Sequence, residues 1–325
     1  FINGGIINSF NSNAQLGKGD YLIAEADESD KSFLLLQPSV SVITNIEPDH
    51  LVNYENSFSN LKNAFLEFIK CLPFNGVSIV CGDDIVIREL KTNFQRPHIS
   101  YGFESDNDYV LSEYKSDGSK SSFKMTSDSG PLDFKLNMLG KHNVLNAAAA
   151  AILCLQEGIA VETIQESLNN FMGIDRRMQI LGIHENDKHT CIYIDDYGHH
   201  PTEIEKTIEA IKDSYPRHKL VMVFQPHRFT RTKDLYTEFV NVLGKVDSLL
   251  LMEIYSAGEK VIEGINSTKL KNSLIESGFQ SVELFQDNQK VIENINQKIN
   301  SDTVFVFQGA GDISAISKQI QDEIS

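Results

Sequence analysis

The sequence predicts an α/β protein built from two doubly wound units. Three observations lead there. Short apolar, β-branched runs alternate with stretches of helical periodicity along most of the chain. At 325 residues there is room for two domains, each with its own core. Polar and ionisable clusters fall where the apolar runs end, and that is where open α/β sheets bind ligands.

The elements follow in order. Tyr21–Glu25 (YLIAE) and Ser39–Asn45 (SVSVITN) read as short buried strands. Phe58–Leu72 carries Phe58, Leu61, Phe65, Phe68, Ile69 and Leu72 at helical spacing. A strand at Val77–Val80 and a helix around Asp84–Leu90 continue the alternation. From Tyr109 the texture changes to alternating segments, Tyr109–Tyr114, Ser121–Thr126 and Leu132–Asn137, separated by Asp117-Gly118 and Ser129-Gly130. That pattern predicts an antiparallel meander attached to the first unit. Lys141–Glu157, with its alanine run, and Val161–Phe171 read as helices. Past Arg176-Arg177, strands are expected at Cys191–Asp195, Leu220–Gln225, Ser248–Glu253, Ser281–Phe285 and Thr303–Gln308, with helices between them and a last helix from about Asp312 to the end. The predicted organisation is an α/β domain carrying the antiparallel meander over 1–178 and a Rossmann-like doubly wound domain over 179–325.

Composition narrows the function. The 41% hydrophobic and 23% charged content is that of an ordinary globular protein. A net charge of −16, from 45 acidic and 29 basic residues, argues against a protein that coats nucleic acid or anionic membrane. An anionic ligand would have to be held by a few placed arginines or lysines. Cys71, Cys81, Cys154 and Cys191 show no CxxC pairing and read as small buried hydrophobes in a reduced, cytoplasmic setting. The longest apolar run, Ala147–Leu155, is far short of the roughly 20 residues a membrane helix needs. The start carries no basic segment of a signal peptide, and a chain opening on Phe1 reads either as the start of a processed protein or as a cut through a longer one.

Five clusters carry candidate chemistry. The densest is Asp195-Asp196-Tyr197-Gly198-His199-His200-Pro201, between the run Cys191–Ile194 and a helix that Pro201 suits as first residue. A turn does not need five polar or ionisable side chains, so the excess points to a site. Glu25–Asp30 (EADESD) is either a solvated acidic turn or a set of hard oxygen ligands of the kind Mg²⁺ takes. Glu47-Pro48-Asp49-His50 follows the next strand; if the two strands pair, Glu25 and His50 become neighbours, with Mn²⁺ the alternative metal because imidazole is a poor Mg²⁺ ligand. Gln225–Arg231 (QPHRFTR) offers Arg228 and Arg231 three residues apart for carboxylate or phosphate, or for surface ion pairs. Gly309-Ala310-Gly311 reads as a tight strand-to-helix turn rather than a dinucleotide fingerprint, since Ser314 replaces the third glycine. No HExxH, GxSxG or GxxxxGK[ST] motif occurs.

Taken in register, EADESD, Thr44–His50 (TNIEPDH), Gly140–Asn146 (GKHNVLN), Arg176-Arg177, Asp195–Pro201 and Gln225–Arg231 resemble the Mur ligase family, the ATP-dependent amide ligases of bacterial cell-wall synthesis. The resemblance covers essentially the whole chain. It implies phosphorylation of the UDP-N-acetylmuramate carboxylate by ATP, then attack of L-alanine on the acyl phosphate. It also implies Glu25 and His50 as metal ligands and His142, Asn143 and Asn146 on the adenine side. Arg177 falls to the ATP phosphates and Asp196 to the ribose. Tyr197, His199, Arg228 and Arg231 fall at the alanine and acyl-phosphate end, where His199 either takes a proton from the amine or orients it. Family members carry a uridine-nucleotide domain and a glycine-rich phosphate loop, and both are missing from these residues. The resemblance therefore implies that 1–178 is a truncated central ATPase-type α/β domain and that this chain alone is inactive. A ligase recycling murein tripeptide onto the same nucleotide sugar, or a non-catalytic binding remnant, is the alternative. No carbamylated lysine is assigned; Lys62 lies near the place expected for one, not clearly at it.

Overall fold

The computed structural model describes residues 1–128, 130–185 and 188–324; Ser129, in the predicted Ser129-Gly130 turn, and Ser325 lie outside them. The chain divides into two compact units: Phe1–Lys115 with Lys120–Asn137 and Lys141–Met172, and Ser116–Ser119 with Met138–Gly140 and Gly173–Ser325.

The first unit contains β1 (Ile2–Ile7), β2 (Ser12–Ala14), β3 (Val40–Ile43), α1 (Phe58–Lys70), β4 (Val77–Cys81), α2 (Ile85–Leu90), β5 (His98–Gly102), β6 (Tyr109–Asp117), β7 (Lys120–Met125), β8 (Leu132–Leu136), α3 (Lys141–Gln156) and α4 (Val161–Asn170). Its six-stranded sheet runs β3-β4-β5-β6-β7-β8. The first three joints are parallel and β7–β8 is antiparallel, so the meander extends the parallel sheet. Side-chain caps explain two helix starts: Ser57 accepts from the Asn60 N–H at α1, and Asp84 from the Ile87 N–H at α2. Ala147, Ala148, Ala149 and Ala151 are buried, and their small side chains let α3 lie close against β4, β5 and β7.

One predicted strand is corrected. Tyr21–Glu25 is not a buried strand: Tyr21, Leu22 and Ile23 are 68%, 70% and 67% exposed. Among the described residues its backbone pairs only with Ile2, through Ile2 N–H to Ile23 O (2.9 Å) and Glu25 N–H to Ile2 O (3.0 Å). Strand propensity reflects packing on a covered, half-buried surface, and neither face of this segment is covered. The β1–β2 hairpin that meets it was not legible in Phe1–Gly5, where two glycines interrupt the pattern.

The second unit contains β9 (Gln179–Glu185), β10 (Thr190–Asp196), α5 (Pro201–Ser214), β11 (Lys219–Phe224), α6 (Phe229–Asp234), α7 (Tyr236–Leu243), β12 (Ser248–Met252), α8 (Ser267–Glu276), β13 (Val282–Phe285), α9 (Asn288–Gln297), β14 (Thr303–Gln308) and α10 (Ser314–Ile324). The sheet order is β13-β12-β11-β14-β10-β9, parallel except for β9, an edge strand that sequence reasoning missed. Strand alternation builds two cores. Ile192, Ile194, Met222, Phe224, Val304 and Val306 pack with α5, α7 and α8 residues such as Ile204, Phe239 and Leu270. Cys191, Tyr193, Val221, Val223, Phe305 and Phe307 pack with Val291, Ile295, Ile316 and Ile320 of α9 and α10. Helices on both faces of a parallel sheet make this the doubly wound fold predicted. Among the described residues, no helix is long and apolar enough to cross a membrane.

Candidate active site

The carboxyl end of β10 is where the second unit concentrates its polar groups. Strand alternation sends the side chains of Asp195 and Asp196 to opposite faces. Asp195, 3% exposed, meets Arg176 Nε at 3.3 Å and accepts from Ser317 Oγ of α10 at 2.7 Å. Burial pushes its carboxyl above the usual range, against the pull of Arg176 and Ser317. Asp196 faces α5. Its Oδ1 accepts from Gly198 N–H (2.9 Å), Thr207 Oγ1 (3.2 Å) and Gln308 Nε2 (2.6 Å), and its Oδ2 from Met178 N–H (2.9 Å). Expected from the sequence beside a ribose, Asp196 has both oxygens engaged within the protein.

Those bonds stitch the 176–178 segment to the loop after β10. Tyr197 N–H donates to Arg176 O at 2.6 Å, and Arg176 Nη2 to Gly309 O at 2.6 Å. Arg176 and Met178 hold positive φ angles of 56° and 48°, unusual for side-chain-bearing residues. The two arginines therefore separate in role. Arg176 is turned inward and committed to Asp195, whereas Arg177 is half exposed, 3.5 Å from Glu203 Oε1. Both guanidiniums lie over the Tyr197 ring, at 5.2 and 5.5 Å from its centroid.

Helix α5 opens with Pro201 after His200, whose side chain caps the Thr202 N–H, while Glu203 reaches back to the His200 N–H at 3.0 Å. His200, 9% exposed, thus starts the helix. His199 lies in a row of aromatic rings: edge-on to Tyr197 at 5.5 Å and to His227 at 5.5 Å, with His227 stacked on Tyr255 at 5.6 Å. Burial, helped by His199, Arg231 and Arg228, pulls His227 down to about 4, so its ring is neutral near pH 7. Sequence reasoning used only the arginines of QPHRFTR and passed over His227, Tyr255 and Glu203. The only available signal was His227 itself, lying inside a strand-end motif.

Arg228 and Arg231 flank the start of α6. Arg228 is the exposed N-cap, with φ 72°, and its N–H donates to Tyr255 O at 2.7 Å. The Gly309–Gly311 turn is tight for reasons internal to the fold. A Cβ on Gly309, at φ 142°, would sit 2.7 Å from Gln225 O, and one on Gly311 2.3 Å from Gln225 Oε1.

In the first unit the acidic loop is joined to the His50 turn, but not by the predicted strand pairing. β3 is an edge strand whose neighbour is β4, and Tyr21–Glu25 does not pair with it. The link is instead Asn53 Nδ2 donating to Ser29 O (2.7 Å) and Tyr54 OH donating to Glu28 O (2.5 Å). Tyr54 is fully buried, and burial with the nearby Glu28, Asp27 and Asp30 pushes its phenol up to about 12. His50 adopts φ 53° at the start of the short turn Leu51–Tyr54, with Nε2 3.5 Å from Asp49. Glu25 is exposed and accepts from the Gly4 N–H. At the start of α3, Asn143 is buried, His142 half-buried and Asn146 exposed. Among the described residues, no three His, Cys, Asp or Glu side chains gather into a metal-binding group. Glu25 and the acidic loop supply the oxygen chemistry Mg²⁺ prefers, but no protein cage.

The model of the Mur ligase middle domain matches residues 7–154, and that of the Mur ligase glutamate ligase domain matches residues 176–311. UDP-N-acetylmuramate-alanine ligase MurC from Thermotoga maritima is similar at 26% identity and a TM-score of 0.79, over 99% of this chain and 68% of that one. MurF from Thermotoga maritima, solved in complex with ADP, matches 88% of this chain and 62% of its own at 18% identity and a TM-score of 0.68. A murein peptide ligase from Psychrobacter arcticus matches 96% and 65% at 20% identity and a TM-score of 0.61. The last two likenesses are of fold alone, and this chain spans under two thirds of their length. With both domain models matched in chain order on the two units described, the chain belongs to the Mur ligase family.

Proposed function

We propose that this chain carries most of an ATP-dependent ligase joining L-alanine to UDP-N-acetylmuramate in peptidoglycan precursor synthesis. The observation that carries the reading is the corner after β10. Arg177, Tyr197, His199 and the Arg228–Arg231 segment gather there, in a chain 26% identical to a UDP-N-acetylmuramate-alanine ligase across 99% of its length.

In this reading the muramate carboxylate oxygen attacks the γ-phosphorus of ATP, forming an acyl phosphate and releasing ADP. The alanine amine then attacks the acyl carbon, the amide forms, and inorganic phosphate leaves with the electron pair of the C–O bond. Arg177, half exposed beside Tyr197, offers its guanidinium to nucleotide phosphate. Arg228 and Arg231 bind the alanine carboxylate and the acyl-phosphate oxygens. Tyr197 and His199 orient the amine, with the imidazole able to accept its proton. Asp196 acts on the nucleotide side by shaping the loop beneath it. His142, Asn143 and Asn146 belong to the adenine side. Glu25 and His50 would hold Mg²⁺ or Mn²⁺, which when bound neutralises charge on the transferring phosphoryl group. The nucleotide-side domain is proposed over 1–178 and the acceptor-side domain over 179–325, with the enzyme in the cytoplasm.

The test is ligation by the full-length protein that contains this chain, followed by phosphate release and product mass. ATP-dependent coupling of L-alanine in preference to a murein tripeptide is the expected result. Preference for the tripeptide would assign the recycling activity instead, and absence of coupling with either would leave a binding protein. The 325 residues by themselves contain no GxxxxGK[ST] loop and are expected not to ligate.

A further inference from the structure

A glutamate that the ligation chemistry leaves unassigned ties the two halves of the corner together. Glu203 lies at the third helical position of α5, where a capping box requires one bond, from its carboxylate to the N-cap N–H. It does more than that. Its Oε2 accepts from His200 N–H at 3.0 Å and from His199 N–H at 2.8 Å, and lies 3.7 Å from His199 Nδ1. The other oxygen faces Arg177 Nη1 at 3.5 Å.

We propose that Glu203 is a positioning residue that sets Arg177 and His199 in one frame, so that the phosphate-binding guanidinium and the acceptor-side imidazole are placed by a single carboxylate. The inference rests on the functional reading above for the roles of those two partners, but not for the linkage itself. Its electrostatics agree: burial raises the Glu203 carboxyl, yet His199, the two backbone N–H groups and Arg177 together hold it below the usual range. Among the groups facing His199 are the Tyr197 carbonyl oxygen, 3.2 Å from Nδ1, Glu203, the Tyr197 ring and the His227 ring; Arg228, Arg231 and Glu259 act on His227 behind it.

Glu203→Gln separates positioning from capping. The amide oxygen still accepts from the two N–H groups, while the charge holding Arg177 and His199 is gone. In the 325-residue chain with labelled histidines, the His199 titration midpoint is expected to fall in E203Q, with the thermal midpoint near that of the parent. Glu203→Asp, which restores the charge on a shorter arm, should recover part of that shift. In the full-length ligase, E203Q should raise KM for both ATP and the amino acid and lower kcat/KM by about 10-fold or more, because misplaced groups lose near-attack geometry. An unmoved His199 titration in a folded E203Q chain would overturn the linkage whatever the enzyme's activity, and would leave Glu203 as a helix cap. A full-length parent with no ligase activity would sink the functional reading alone, since the titration would still decide the linkage.

Discussion

Two polar loops stand out in this sequence, Asp195–Pro201 and Glu25–Asp30, and the fold treats them differently. The first leaves a strand held on both sides, by β14 and β9, with two buried carboxylates locking it from opposite faces. The second follows a segment paired with the backbone of Ile2 alone, and its carboxylates turn mainly to nearby backbone: Asp27 to Ser29 N–H and Asp30 to Ser32 N–H. Similar densities of ionisable side chains thus produce a preorganised corner in one unit and a solvated turn in the other. Fixed dipoles act on a reaction only where the surrounding bonds hold them, so the site chemistry of the second unit is the better formed.

Replacing one carboxylate in each loop measures that difference most strongly. Asp196→Ala would leave Gly198 N–H and Met178 N–H without their acceptor, and would cost Thr207 Oγ1 and Gln308 Nε2 one acceptor each, with Glu203 O and Gly198 O remaining. The expected loss is about 2–4 kcal/mol, since each buried donor left without an acceptor costs roughly 1–3 kcal/mol. Asp27→Ala, in the exposed loop, should cost within about 1 kcal/mol. Urea unfolding combined with amide exchange at β10 and β14 reads both. Equal losses from the two variants would mean that the β10 corner is no better ordered than the acidic loop.

The same contrast governs what could be read from sequence. The strands of the second unit were legible because runs such as Val304–Phe307 are apolar throughout, as strands buried on both faces tend to be. Clusters at their ends were legible because ionisable residues there exceed what a turn needs. Tyr21–Glu25 looked the same in composition, but whether an apolar run is buried depends on what lies against it, and that information is not local. The internal commitment of Asp196 was likewise hidden, because Met178, Thr207 and Gln308 are brought to it by three different elements. Glu203 read only as a helix residue, and its reach to Arg177 and the His199 N–H exists only in the folded corner. His227 stood in plain view, but its stacking partner Tyr255 lies beyond β12, too far along the chain for any motif.

A smaller effect comes from His227 and appears as pH dependence confined to the second unit. Its pKa drops from the ordinary 6.5 to about 4 on folding. The unfolded chain therefore binds the proton more readily between those values, and stability must fall as pH drops from about 6.5 towards 4. Above 6.5 both states are neutral and the group contributes no slope. His227→Phe keeps a ring against Tyr255 and removes the titration, so the dependence of the urea midpoint on pH should flatten in that window relative to the parent. An unchanged slope would show that the imidazole is not held neutral by its surroundings.

The smallest structural effect is expected in the first unit, at Glu25. Its carboxylate is exposed and bonded only to the Gly4 N–H among the contacts seen, so Glu25→Gln should shift stability by no more than about 0.5 kcal/mol. If Glu25 is a metal ligand as proposed, the same change must weaken divalent-cation binding, because an amide oxygen is a poorer partner for a hard cation than a carboxylate. Manganese relaxation in the presence of ATP separates the two consequences, with melting of the metal-free protein as the control. Weakened manganese binding at unchanged stability would give this loosely framed loop a chemical role that its packing does not reveal. Unchanged binding would remove Glu25 from the metal site, leaving the loop after β10 as the one of the two with a proposed part in the chemistry.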